Sequence, residues 1–303
     1  MARGIYIVAN EKVSENAIAL LNSIRYYDPD ISVYLIPFND NYQNLAATLN
    51  RLHNVEIFPD LDFLNQFTQK IAEIFERDFL ALPNKMRKLV AWFGPLDEFL
   101  YIDTDIIVFE KIAKVLDDLS EYGFICNDYH HAGRGLQDIF SPLVREQKIF
   151  TEAQLSDVFN SGFWASKKGI ITLDRMYELL RECSQHREYF DFSSQVTDQP
   201  ILNYIVLNSI PKRFNLVKIP GGGPGSWAGS KHFQQKDIVL YDGEKKLQYL
   251  HWAGIPMKPG APYRGLWEYY RYLNEPKPTG TPPVELKKIT FLQRIINKTK
   301  SLF

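Results

Sequence analysis

Two cysteines in 303 residues, Cys126 and Cys183, are too few for a disulfide framework and form no metal-binding spacing. A stapled secreted scaffold is thereby excluded, and a reducing compartment is the natural setting. The opening MARGIYIVAN carries one arginine and an apolar run too short for a secretory leader. No stretch approaches the roughly 18 uncharged apolar residues of a membrane span. Cytoplasmic placement is the expectation. Charge of one sign is also missing: 35 Lys and Arg against 36 Asp and Glu leave a formal net charge of −1, without the basic excess of a nucleic-acid binder. Glycine fingerprints are absent too. The first apolar run passes straight into Ala9-Asn10-Glu11 with no GxGxxG, and no GxxxxGK[ST] occurs, which argues against a dinucleotide-binding Rossmann unit and a P-loop enzyme. No internal repeat is visible.

What is present is ample core material, 45% hydrophobic residues, arranged as short apolar runs alternating with helical patterns. GIYIVAN (4–10), SVYLIPF (32–38), VEIF (55–58) and FLYID (99–103) read as strands. Ala17, Ile18, Leu21 and Ile24 recur at helical spacing until Asp28-Pro29, Leu45 and Leu49 mark a second helix, and residues 63–80 and 84–93 read as further helices. Strands apolar on both faces with helices between them predict an α/β fold, a mainly parallel central sheet covered on both sides. Ligands of such sheets bind beyond the carboxyl ends of the strands. Residues 1–273 form the expected domain. NEPKPTGTPPVE (274–285), with four prolines, reads as a linker. Residues 286–303 place Leu286, Ile289, Leu292, Ile295 and Ile296 on one stripe of a basic amphipathic helix. That helix could dock on the domain or lie on an anionic membrane surface, making the protein peripheral there.

Five segments could carry chemistry. In FLYIDTDIIVF (99–109), Asp103 and Asp105 are alternate residues of an extended segment, so both carboxylates can meet one hard divalent cation. A haloacid-dehalogenase-type phosphatase fits less well, because Ile107 stands where that pattern wants Thr or Val and about a hundred residues precede the motif. YLHWAG (249–254) delivers His251 to the end of a strand, where it is either structural or a third ligand. Two oxygens and an imidazole favour manganese somewhat over magnesium. FNSGFW (159–164) is a tight turn or a turn that meets a polyhydroxylated ligand. In VTDQPILNYIV (196–206), Asp198 is a possible N-cap with Pro200 in the first turn, or Asp198 and Gln199 grip sugar hydroxyls. NKMRKLVAW (84–92) supplies Lys85, Arg87 and Lys88, with Arg77 nearby, of which one could reach a diphosphate.

The order of RKLVAW, YIDTDIIVF, FNSGFW, TDQPILN and YLHWAGIPMKP resembles glycogenin and the wider family 8 glycosyltransferases over about residues 4–260. The resemblance implies a GT-A fold and a retaining hexosyltransferase that uses manganese and a nucleotide sugar, UDP-linked as a rule, with a glycan, glycolipid or protein acceptor. It implies that Asp103, Asp105 and His251 hold the metal and that Lys88 contacts donor phosphate or sugar. Asn160 and Ser161 would bind the sugar, with Asp198 and Gln199 beside the anomeric carbon. Gly254 and Lys258 would engage the diphosphate, Ala9 and Asn10 would line the nucleotide pocket, and Thr104 would stand between the paired carboxylates at the donor. Two departures stand out. The closing loop is a residue longer than the family's HxxGxxKPW and has Gly260 in place of Trp, and residues 129–158, including His130-His131, form a longer link than glycogenin has. The rivals are a sugar nucleotidyltransferase, whose Gly-rich basic loop is absent at Ala9-Asn10-Glu11, and a non-catalytic carbohydrate-binding protein.

Overall fold

The computed structural model of the protein describes residues 1–80, 82–127, 139–190 and 197–277. Eight of its strands are β1 (Arg3–Ala9), β2 (Ser32–Pro37), β3 (Glu56–Ile57), β4 (Glu98–Ile102), β5 (Ile106–Val108), β6 (Phe124–Cys126), β7 (Phe163–Lys167) and β8 (Arg213–Asn215). All but β5 form one seven-stranded sheet in the order β3-β2-β1-β4-β7-β6-β8. Its pairs are parallel except where β7 runs against β4 and β6. The sheet is therefore mainly parallel, as expected, with one reversed strand.

Both faces of the sheet are buried, and the alternation along β1 and β4 shows how. Ile5, Ile7, Ala9, Leu100 and Ile102 point to one face, where Ala17, Leu20, Leu21 and Ile24 of the helix Ser14–Tyr27 cover them. Tyr6, Phe99 and Tyr101 point to the other face and pack with Trp92, Trp164 and the helices Leu61–Ile74, Leu173–Gln185 and Asp198–Ser209. Trp164 stacks between Trp92 and Tyr101, at ring-centroid distances of 4.6 and 5.3 Å. Fully burying a large side chain stabilises by roughly 1.5–3 kcal/mol each, so this face holds much of the core's stability. The first helix stops at Tyr27 before Asp28-Pro29, as read, and Asp60 and Thr172 cap the starts of their helices by accepting from the amides of Phe63 and Arg175.

Three expectations are corrected. The helix expected over 63–80 ends at Ile74. Residues Pro83–Phe93 form a 3₁₀ helix; Met86–Trp92 are all buried, so neighbours on every side rather than an amphipathic stripe set its turns. FLYIDTDIIVF is two strands, not one strand end. After β4, Asp103-Thr104-Asp105 turns the chain out of the large sheet, and β5 pairs instead with β12 (Tyr249–His251). Between them in sequence, β9 (Gln234–Lys236), β10 (Val239–Asp242) and β11 (Lys245–Lys246) form a small antiparallel sheet. A third apolar cluster, with Ile107, Phe109, Leu250, Trp252, Leu266 and Tyr270, supports the β5–β12 pair against the helix Arg264–Arg271. Most of the linker and all of residues 286–303 lie outside the described residues, as do His130-His131. Among the described residues no helix is long and apolar enough to cross a membrane.

Candidate functional site

The carboxyl ends of β1, β4 and β6 and the start of β7 lie on one edge of the sheet, because β7 alone is reversed. Asp103 follows β4 there, and its amide donates to the Gly162 carbonyl at 2.8 Å. The antiparallel register Tyr249↔Val108, Leu250↔Ile107, His251↔Ile106 carries His251 beside the aspartates, and the Trp252 amide closes the ladder on the Asp105 carbonyl at 3.0 Å. The His251 amide donates to Ser226 O and its carbonyl accepts from Ala228, so the segment after the glycine run straps β12 in place. Strand pairing, rather than loop closure, joins residues far apart in sequence.

His251 is buried, with Nε2 at 3.1 Å from Asp105 Oδ1 and 4.0 Å from Asp103 Oδ2. One donor atom from each of the three lies within 4.8 Å of the others. Asp103 Oδ1 accepts a 2.6 Å hydrogen bond from the Tyr101 hydroxyl, which leaves Oδ2 turned to the histidine. Gly162 makes this convergence possible. A Cβ there would meet His251 Cε1 at 2.3 Å and Asp103 Oδ2 at 2.8 Å. The donor set of two carboxylate oxygens and an imidazole nitrogen, crowded onto a side-chain-free backbone, fits a divalent cation of the manganese or magnesium type.

Lys88 ties this group to a second one. Its ammonium is buried 2.7 Å from Asp198 Oδ2 and 3.5 Å from Asp103 Oδ1, donates to Ser161 O at 3.2 Å and lies 4.7 Å from the Tyr101 ring centroid. Ser161 Oγ donates to the same Asp198 oxygen at 2.8 Å. Gln199 Oε1 accepts from Asn160 Nδ2 at 2.7 Å and from the Ser161 amide at 3.2 Å. Asn203, one turn further along the helix, exchanges two hydrogen bonds with the backbone of Phe159 and so pins the FNSG turn.

Burial pushes the Asp103 carboxyl up, only partly opposed by Lys88, and Asp105 adds to the rise. For Asp105 burial acts the same way, but His251 and other contacts outweigh it and hold the carboxyl below its usual value. Burial would also raise Asp198 and lower Lys88. Their mutual attraction reverses both, with Asp103 helping to hold the Lys88 proton.

Eight expected residues thus converge: Lys88, Asp103, Asp105, Asn160, Ser161, Asp198, Gln199 and His251. Thr104 is buried between the aspartates. Ala9 and Asn10 end the adjacent β1, both buried, and Asn10 caps the turn Glu11–Val13 by accepting from the Lys12 amide. Gly254, at φ +71°, and Lys258 stand exposed on the turn after β12 and share no hydrogen bond or ion pair with the cluster among the described residues. Asp198 is not an N-cap: Thr197 holds that position, and the carboxylate turns to Lys88 and Ser161 because a buried ammonium attracts it more than helix-end amides do. Arg87 serves the fold, donating to Pro37 O, Thr68 and Asn65. Sequence reasoning passed over Tyr101, Gly162 and Asn203. Tyr101 reads as one more core aromatic, and only the spacing of Asn203 four residues after Gln199 hinted at its place.

No family model matches the sequence, and no curated protein sequence does either. Solved structures do resemble it. The galactosyltransferase LgtC, in complex with donor and acceptor sugar analogues, is similar at a TM-score of 0.57 and 14% identity, over 91% of this chain and 98% of that one. The bifunctional glycosyltransferase WbbM in its apo form gives 0.53 and 15%, over 91% of this chain and 50% of its own. The glycosyltransferase GlyE of Streptococcus pneumoniae gives 0.51 and 14%, over 89% and 61%. At such identities the likeness speaks for architecture: the chain has the mixed α/β GT-A fold of these glycosyltransferases.

Proposed function

We propose that this protein is a metal-dependent, retaining glycosyltransferase that moves a hexose from a UDP-sugar to a glycan, glycolipid or protein acceptor. The observation that carries the reading is the convergence of Asp103, Asp105 and His251 within 4.8 Å, linked through Lys88 to Asp198. A manganese or magnesium ion held by those three side chains would supply positive charge for the departing diphosphate. Lys88, kept protonated by its two aspartates, adds a fixed cation beside it, the kind of preorganised charge that stabilises a leaving group. Asp198 Oδ2 already accepts from Lys88 and Ser161, which makes the carboxylate a poor nucleophile. Gln199 Oε1 is likewise engaged, so its amide N–H groups are what it could offer a sugar. The pair is suited to orienting a sugar ring. The acceptor hydroxyl then attacks from the face the diphosphate leaves, and its proton goes to the leaving phosphate oxygen.

Asp103→Ala and Asp105→Ala are expected to abolish Mn2+-dependent UDP release from a UDP-hexose. Near-wild-type rates in both would overturn the metal assignment. Thermal shift with UDP-glucose, with and without Mn2+, separates the rival: stabilisation with no turnover by the wild type favours a sugar-binding protein. Ala9, Asn10 and Thr104 are assigned to the donor's nucleotide side, Asn160 and Ser161 to its sugar, and Gly254 and Lys258 to its diphosphate. Residues 286–303 are assigned to an anionic membrane surface.

A further inference from the structure

In a 3₁₀ helix residues three apart are eclipsed, and Pro83–Phe93 shows this directly. Asn84 and Arg87 both turn to the end of β2, Asn84 Nδ2 donating to Phe38 O at 2.7 Å and Arg87 Nη1 to Pro37 O at 2.8 Å. One residue along, Lys85 and Lys88 form the next such pair. Lys88 faces Asp198, so Lys85 stands one turn outward on the same side. It is half-buried, and no hydrogen bond or ion pair holds its ammonium among the described residues. Its charge reaches Asp198, where it joins Lys88 in keeping the carboxyl ionised.

The Asp198 charge is already balanced by the 2.7 Å contact with Lys88 and the Ser161 hydroxyl. A second ammonium there has no counter-charge among the described residues, and a neutral hexose would offer it hydroxyl oxygens but no counter-charge. The diphosphate belongs on the far side of Lys88, with Asp103, Asp105 and His251. We propose that Lys85 is a specificity-determining residue that binds a carboxylate on the sugar lying beside Asp198 and Gln199, a uronic-acid-type group carried by the donor or by the acceptor. This rests on the glycosyltransferase reading above.

The test compares acid with neutral substrates in wild type, Lys85→Met and Lys85→Glu, all with Mn2+. One arm measures UDP release from UDP-glucuronic acid against UDP-glucose. The other uses UDP-glucose with methyl glucuronide against methyl glucoside as acceptor. In the arm where the carboxylate binds, the acid-to-neutral ratio of kcat/KM is expected to fall roughly 10-fold or more in Lys85→Met, as for loss of a charge-assisted hydrogen bond. It should fall further in Lys85→Glu and shrink in wild type as salt rises. A ratio unchanged in both arms, whether both rates drop together or neither does, would overturn the assignment and return Lys85 to the diphosphate or to solvent. Calorimetry of the wild type with UDP and Mn2+ reports separately on the underlying reading: no binding there removes both.

Discussion

Lys88 divides the buried polar centre into two halves with opposite charge balance. On one side Asp103 and Asp105 face an imidazole that is no fixed cation, and Lys88 reaches Asp103 only at 3.5 Å. On the other, Asp198 has the ammonium at 2.7 Å, a serine hydroxyl at 2.8 Å and the field of Lys85. The first half carries more negative charge than the chain itself neutralises, so it is built to receive a cation. The second has its carboxylate balanced, holds the Lys85 charge in excess, and offers hydrogen bonds, as recognition of a sugar requires. Substitutions that act on one half and spare the other test this division.

The largest effect is expected from removing the divider. In Lys88→Met the partly buried Asp198 loses its partner, and removing one member of a largely buried pair costs up to roughly 3–5 kcal/mol of stability. Denaturant midpoints would show it, and Asp198→Asn in the same chain should recover much of the loss. If the double variant is no more stable than the single one, the charge balance drawn for the second half is wrong. Gly162→Ala comes next and strikes the first half, since its Cβ would collide with His251 Cε1 at 2.3 Å and Asp103 Oδ2 at 2.8 Å. Misplacing a reacting constellation by about 1 Å can cost on the order of 100-fold. We expect such a fall in Mn2+-dependent UDP release with the denaturant midpoint changing far less than in Lys88→Met. A wild-type rate would mean that His251 does not need to stand where it does.

The same division marks what could be read in advance. The sheet was legible because GIYIVAN, SVYLIPF and FLYID are short, apolar at successive positions and separated by helical patterns, as strands covered on both faces are. That the chain leaves the large sheet after Asp103 was not, since IIVF is as apolar as a continuing strand would be and its partner, Tyr249–His251, lies far along the chain. Asp198 shows the converse limit. Helix-start chemistry and a long-range ion pair suit the same residue type, and only the approach of Lys88 decides between them. Tyr101 was hidden by its own hydrophobicity: the ring belongs to the core, the hydroxyl to the site.

That hydroxyl gives the finest test, paired with its counterpart across Lys88. Tyr101→Phe removes the 2.6 Å donor to Asp103 Oδ1, freeing the carboxylate to rotate while the packing of the ring is kept. Loss of a group that orients a ligand side chain typically weakens metal affinity about 10- to 100-fold. Ser161→Ala removes the 2.8 Å donor to Asp198 Oδ2 but leaves Lys88 there, so a net loss of about 1 kcal/mol, roughly fivefold, is expected. The two should separate by parameter. Tyr101→Phe raises the Mn2+ concentration for half-maximal activity and leaves KM for UDP-sugar at saturating metal nearly unchanged. Ser161→Ala does the reverse. If both variants shift the Mn2+ requirement alike, Lys88 does not divide the centre but couples it, and Asp198 responds to the cation through the same ammonium that holds Asp103.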